Sequence, residues 1–154
     1  MVARRQTVKG VLVKGYGVAS GSSSEYPYGA LERQIPIFRS LGLDLSSFHR
    51  GTLNIDIQPV TFELVSPEFT FRDVRWTDLH PPEHFSFARC QIGYAEVLYD
   101  GWIYYPHPET KRRNFHSHSL LEVIAARIPG IYTGDMLEVH VDPERVTLQQ
   151  ADGA

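Results

Sequence analysis

The stretch from residue 59 to 106 leaves this chain little choice of architecture. Short runs of β-branched and aromatic residues follow one another there, and no helical period interrupts them. They are Thr61-Phe62-Glu63-Leu64, Phe69-Thr70-Phe71-Arg72-Asp73-Val74, Phe85 to Ile92, Tyr94 to Tyr99 and Trp102 to Tyr105. Asp100-Gly101 reads as a hairpin turn between the last two. Pro81-Pro82 and Pro106 mark loops. Many short strands with close turns predict a mainly β fold, a barrel rather than a parallel sheet.

The flanks fit that plan. Thr7 to Lys14 reads as a strand, with Val8, Val11 and Val13 as its β-branched members. Gly15-Tyr16-Gly17-Val18-Ala19-Ser20-Gly21 follows as a glycine-rich turn. Such a turn can aim successive backbone N–H groups at a phosphate, although a surface hairpin has the same composition. It is neither a Walker loop nor a clean G-x-G-x-x-G. Ala30 to Leu41 has helical spacing at Leu31, Ile35, Phe38 and Leu41, with Pro36 starting or kinking the helix and Gly42 ending it. Residues 43 to 50 form a loop. Residues 107 to 118 form a polar loop. Ser119-Leu120-Leu121-Glu122 then reads as the start of a second short helix, running through Ile124 and Ile128 to Pro129-Gly130, with Ser119 and Glu122 at capping-box spacing. After a turn at Tyr132 to Asp135, Met136 to Val141 is a last strand with Leu137, Val139 and Val141 inward. The ends after residue 149 fray.

Chemistry concentrates in Gly51-Thr52-Leu53-Asn54 and the Ile55-Asp56-Ile57 that follows. Leu53, Ile55 and Ile57 alternate with Asn54 and Asp56, the period of a half-buried strand. Thr52, Asn54 and Asp56 then share the other face with a hydroxyl, a carboxamide oxygen and a carboxylate. Hard oxygens in a row suit Mg²⁺, which takes few protein ligands and keeps water and phosphate for the rest. The same pattern also describes an amphipathic strand with a solvated polar face, which is the commoner case.

Composition sets the remaining bounds. A chain of 154 residues is one domain by default, with a core expected over about 7–142. Hydrophobic and charged fractions of 42% and 21% are those of a globular chain. No apolar run reaches the roughly 20 residues that span a membrane, and no apolar core follows Arg4-Arg5 as in a secretory signal. The single cysteine, Cys90, excludes an intrachain disulfide and fits a cytoplasmic address. A net charge of -3 gives no general pull toward nucleic acid. Cys90 lies in an alternating apolar strand and reads as a buried, inert thiol. His116 and His118 could face one way on a strand, and His80 and His84 have H-x-x-x-H spacing, but Pro81-Pro82 breaks the helix that would align the latter pair. With no cysteine nearby, solvated loop histidines are expected rather than zinc. Lys111-Arg112-Arg113 could hold phosphate near the start of the Ser119 helix. Trp102, Tyr104, Tyr105 and Phe115 offer flat faces for a ring, or else belong to the barrel wall.

In this order, these blocks resemble the archaeal-type CTP-dependent riboflavin kinase family. The similarity rests on Gly10-Val11-Leu12-Val13-Lys14-Gly15-Tyr16-Gly17-Val18-Ala19, on Gly51-Thr52-Leu53-Asn54, and on Asp100-Gly101 through Pro106. It continues in Phe115-His116-Ser117, Leu121-Glu122-Val123-Ile124-Ala125 and Gly134-Asp135 through Val141. The resemblance implies a small closed cradle-loop barrel with two short helices. The implied reaction moves the terminal phosphate of CTP to the 5′-hydroxyl of riboflavin, giving FMN. It implies that Gly15, Tyr16, Gly17, Val18, Ala19 and Ser20 wrap the nucleotide and that Arg127, Ile128, Pro129 and Gly130 border its base. It also implies that Thr52 and Asn54 hold Mg²⁺, that Asn114 and Glu122 meet the flavin, and that Asn54 and Glu122 carry the catalysis. The chain departs from the family at Ala19, which replaces the third glycine of the turn, at Ser20, which replaces a basic residue, and at Asn114, which replaces a threonine. Those departures leave a second expectation open: a barrel that binds a flavin or a nucleotide without turning it over. Oligomeric state and protein partners are not legible.

Overall fold

The computed structural model describes residues 5–15, 30–49, 51–79, 81–107 and 118–150. Its elements are β1 (Gln6–Gly15), α1 (Ala30–Ser40), β2 (Leu53–Asp56), β3 (Val60–Leu64) and β4 (Phe69–Val74). There follow β5 (Glu83–Tyr94), β6 (Val97–Pro106), β7 (Leu120–Ala125), β8 (Met136–Val141) and β9 (Val146–Gln150). The large sheet runs β4-β5-β6-β7-β2-β1-β8, and β8 returns to pair with β5. Every one of these pairings is antiparallel. The expected closed barrel is therefore present: β5, β6, β7, β2, β1 and β8 form a ring, and β4 flanks it. The long strand β5 makes this possible by serving two partners. Its first part, Phe85 to Phe87, pairs with β4, and its last part, Cys90 to Gly93, closes on β8. A separate ribbon pairs β3 with β9.

Alternation sorts the side chains onto two cores. Leu12, Leu53, Ile55, Ala88, Ile92, Ile103, Leu121, Val123 and Val139 fill the ring. The outer wall of β5, β6 and β7 presents Phe85, Phe87, Trp102, Tyr104 and Ile124 to Leu31, Ile35 and Phe38 of α1. These three helical residues are spaced to form one stripe. Phe38 meets the edges of Phe85 and Phe87 at centroid distances of 5.2 and 4.9 Å. Glu32 in the first turn and Arg39 in the last complement the helix dipole. Pro36 neither starts nor ends α1; its ring is exposed, and the one bond it forfeits lies on the solvent side. Gly42, at φ 115°, ends the helix. The Leu43 N–H donates to Phe38 O at 2.9 Å and the Gly42 N–H to Arg39 O at 3.1 Å, the paired bonds of a Schellman turn.

Three sequence expectations need correction. The second helix, from Ser119, is strand β7, and α1 is the one helix among the described residues. Leu121 and Val123 point into the ring while Ile124 points out under α1, a period of two rather than 3.6. Ser119 caps nothing: its hydroxyl donates to Val60 O at 2.8 Å. The hairpin turn is not at Asp100-Gly101 either. It is at Ala95-Glu96, both left-handed at φ 51° and 66°, and β6 runs through Asp100 and Gly101 without a break. Gly101 is required for packing, because a Cβ there would lie 2.9 Å from Ile124 O and 3.2 Å from Val123 Cγ1. Finally, the region after 142 adds β9 to the fold, with Val146 buried against the ring.

Candidate functional site

Strand β2 is four residues long and is held on both sides. Leu53 faces Val123 of β7 and Gly15 of β1; Asn54 faces Glu122 of β7 and Lys14 of β1. Residues directly opposite in antiparallel strands share a face, with Cβ atoms about 5 Å apart. The register therefore puts Asn54 and Glu122 side by side on the outer wall. It also puts the end of β1, which leads into the glycine-rich stretch, against the start of β2. A bulge between Leu12 and Lys14 shifts β1 by one residue at this point.

The outer face of β2 is not a solvated polar strip. Thr52 is 2% exposed and Asn54 8%. The Asn54 Oδ1 atom is buried and accepts no hydrogen bond from the described residues. An unpaired buried amide oxygen costs on the order of 1–3 kcal/mol, so it calls for an explanation. Asp56, next along the same face, is partly exposed; its Oδ1 accepts from the Gln58 N–H at 2.9 Å. Thr52 and Asn54, two positions apart in the chain and both buried, offer a hydroxyl and a carboxamide oxygen, donor types that fit a hard cation such as Mg²⁺.

The segment after β7 lies beside this site. Ile128 is buried in the ring, and Arg127, Pro129 and Gly130 are exposed. The His49 N–H donates to Ala125 O at 3.0 Å, which ties the 43–50 loop to the end of β7. Burial, then the positive charge of Arg127, holds the His49 imidazole below its ordinary pKa of 6.5. The next turn is fastened by Tyr94 of β5. Its hydroxyl lies 2.8 Å from Asp135 Oδ2 and 3.1 Å from Gly130 O. The hydrogen bond to Asp135 pushes the Tyr94 phenol above its ordinary range.

A pocket of about 520 Å³ opens between the barrel and the β3–β9 ribbon. Phe62, Tyr105, His107 and His118 are among its lining residues. His107 is oriented by Ser86, whose Oγ lies 2.6 Å from Nε2, and Ser86 in turn by Thr70 Oγ1 at 2.9 Å. The Phe62 N–H donates to His118 O, and the Ile57 N–H to Ser119 O. The pocket therefore lies where β2 ends, about 10 Å along the strand from Asn54. Of the aromatic residues picked from the sequence, Tyr105 lines this pocket. Trp102 and Tyr104 offer no free face, since both are buried in the cluster under α1.

The structure thus brings together Gly15, Thr52, Asn54 and Glu122, with Arg127 to Gly130 following on from the end of β7. Tyr16, Gly17, Val18, Ala19, Ser20 and Asn114 lie outside the described residues, as do Lys111 to Arg113, Phe115 and His116. The idea that the basic cluster aids a helix N-terminus fails, because no helix starts at Ser119. Nothing local in the sequence pairs Tyr94 with Asp135 or Ser86 with His107. No helix among the described residues is long and apolar enough to cross a membrane. No protein-family model matches the chain, and no curated protein matches it.

Proposed function

We propose that this barrel is a riboflavin-kinase-like phosphotransferase, moving the terminal phosphate of CTP to the 5′-hydroxyl of riboflavin in a Mg²⁺-dependent reaction. The observation that carries the reading is the buried, unpartnered Asn54 oxygen, set beside Thr52, opposite Glu122 and against the base of the glycine-rich turn. Phosphoryl transfer asks for placement and charge neutralisation more than for covalent chemistry. A Mg²⁺ ion held by Thr52 and Asn54 would neutralise charge on the phosphates. By the family resemblance, Gly15 to Ser20 would wrap the nucleotide and Arg127 to Gly130 would border its base. Glu122 orients the ribityl hydroxyl. The bond from the bridging oxygen to the terminal phosphorus breaks, the hydroxyl oxygen bonds to that phosphorus, the hydroxyl proton is lost, and CDP and FMN leave. The pocket beside Tyr105 and Phe62, beyond Asn54 along β2, is of a size that suits a planar ring.

The test is to incubate the protein with riboflavin, Mg²⁺ and each of CTP, ATP, GTP and UTP and to measure FMN. CTP should give product; no product with any donor removes the enzymatic claim. Ala19 and Ser20, which replace a glycine and a basic residue, favour a second reading: a non-catalytic flavin- or nucleotide-binding module. Calorimetry that shows binding of riboflavin or CTP with neither consumed would establish that reading instead.

A further inference from the structure

The turn that follows the Arg127–Gly130 segment is fixed at more points than a surface loop needs. Ile128 anchors one end in the ring interior. At the other end, the Gly134 N–H donates to Leu12 O at 2.6 Å and the Leu12 N–H donates to Asp135 O at 2.9 Å. Leu12 is on β1, just before the bulge that leads to Lys14, Gly15 and the glycine-rich turn. Asp135 Oδ2 then gathers two donors, the Tyr132 N–H at 2.9 Å and the Tyr94 hydroxyl at 2.8 Å. Tyr94 comes from the far side, at the end of β5, and its hydroxyl also sits 3.1 Å from Gly130 O. Gly130 and Gly134 both adopt positive φ, 76° and 97°, so the chain folds back tightly between these ties.

We propose that Tyr94 and Asp135 form a clamp that fixes Arg127–Gly130 relative to the Leu12 end of β1, the two described segments that the phosphotransferase reading sets against the nucleotide. This rests on the phosphotransferase reading and adds two positioning residues to it. Neither need touch the reacting atoms. The clamp acts through Gly130 on one segment and through Leu12 on the other, and Tyr94 sits at the opposite end of the β5–β6 pairing from Tyr105. Its loss therefore loosens the nucleotide and leaves the flavin alone.

The experiment is calorimetric titration of CTP with Mg²⁺, and separately of riboflavin, into the wild-type chain and into Tyr94→Phe, Asp135→Ala and the double variant. Tyr94→Phe is expected to weaken CTP about fivefold, the effect of one lost hydrogen bond, with riboflavin affinity unchanged. Asp135→Ala should weaken CTP at least as much, and the double variant should lose less than the two single losses combined, since they share the Tyr94–Asp135 bond. Asp135→Asn keeps an acceptor oxygen and should restore most of the affinity. A Tyr94→Phe variant that binds CTP as wild type does, or that loses riboflavin in equal measure, overturns the clamp and leaves the proposed function standing. A wild-type chain that binds no CTP overturns both. If either single variant does not fold, the other carries the comparison: CTP affinity unchanged, or an equal loss for CTP and riboflavin, contradicts the clamp.

Discussion

Under α1, the outer wall of the barrel buries several polar groups, and these find partners. The Tyr104 hydroxyl donates to Gln34 Oε1 at 2.7 Å, and the Trp76 indole N–H donates to Glu83 Oε2 at 2.7 Å. A little further round the same wall, Asn54 is buried to a similar degree, yet its oxygen accepts no hydrogen bond from the described residues. Ile124 and Glu122, two residues apart on one face of β7, mark the passage from the first patch to the second. The first patch is finished by the chain alone. In the second, an amide oxygen stays unpaired among the described residues. Burial alone therefore does not tell a core from a candidate site; an unpaired buried oxygen is what sets Asn54 apart from the patch under α1.

Breaking the second patch should have the largest effect on chemistry and little on stability. Asn54→Ala is expected to reduce FMN formation at least about 100-fold, the scale seen when one group that stabilises the transferring charge is lost. Its unfolding free energy in urea should stay within about 1 kcal/mol of wild type, because the removed oxygen has no partner to leave behind. A variant with full turnover would exclude Asn54 as an essential ligand.

Breaking the first patch should do the reverse. Phe38→Ala removes a ring that packs on Phe71, Phe85 and Phe87, and a loss of about 3–5 kcal/mol is expected from urea titration. Tyr104→Phe is subtler. It leaves Gln34 Oε1, buried within α1, without that donor, at about 1–3 kcal/mol by the same measurement. If Tyr104→Phe and Asn54→Ala destabilise equally, the contrast between the two patches fails.

Much of the first patch was legible in the sequence, and much of the second was not. The stripe of Leu31, Ile35 and Phe38 announces a helix, and Gly42 its stop, because both signals are local. The ends of β4 and β8 are likewise set by runs of alternating residues. The β7 region misleads because Leu120 to Ala125 is a short apolar run, in which periods of two and 3.6 are hard to separate, and Ser119 and Glu122 mimic a cap. Gly101 misleads because its purpose is close approach to β7, which only the closed ring reveals. Strand β9 has no local signal strong enough to announce it; it exists because β3 is there to pair with. The site shows the same division. The oxygen donors of Thr52 and Asn54 can be read from a strand pattern. That Asn54 is buried and opposite Glu122 depends on β7 being a strand. The Tyr94–Asp135 contact joins residues 41 apart and leaves no trace in either neighbourhood.

The smallest expected effect concerns pH at the edge of the second patch. The His49 imidazole is held below 6.5 in the folded chain by burial and then by Arg127. The unfolded chain therefore takes up a proton first as pH falls. The stabilisation from a neutral His49 is complete above about 6.5 and fades as pH drops below it, toward the folded-state value. Urea midpoints at pH 7.5 and 5.5 should differ more for wild type than for His49→Gln; an identical difference would show that His49 has no part in it.

The most direct measurement of the account is the response of the Asn54 side-chain amide to a paramagnetic cation. Mn²⁺ is added in place of Mg²⁺ to ¹⁵N-labelled protein with CTP present, and the side-chain amide resonances are followed. The prediction is strong broadening of the Asn54 signals at Mn²⁺ levels that leave Gln34, tied to Tyr104 under α1, sharp. Asn54 signals that stay as sharp as those of Gln34 would show that no cation reaches that oxygen, and the central claim would be wrong.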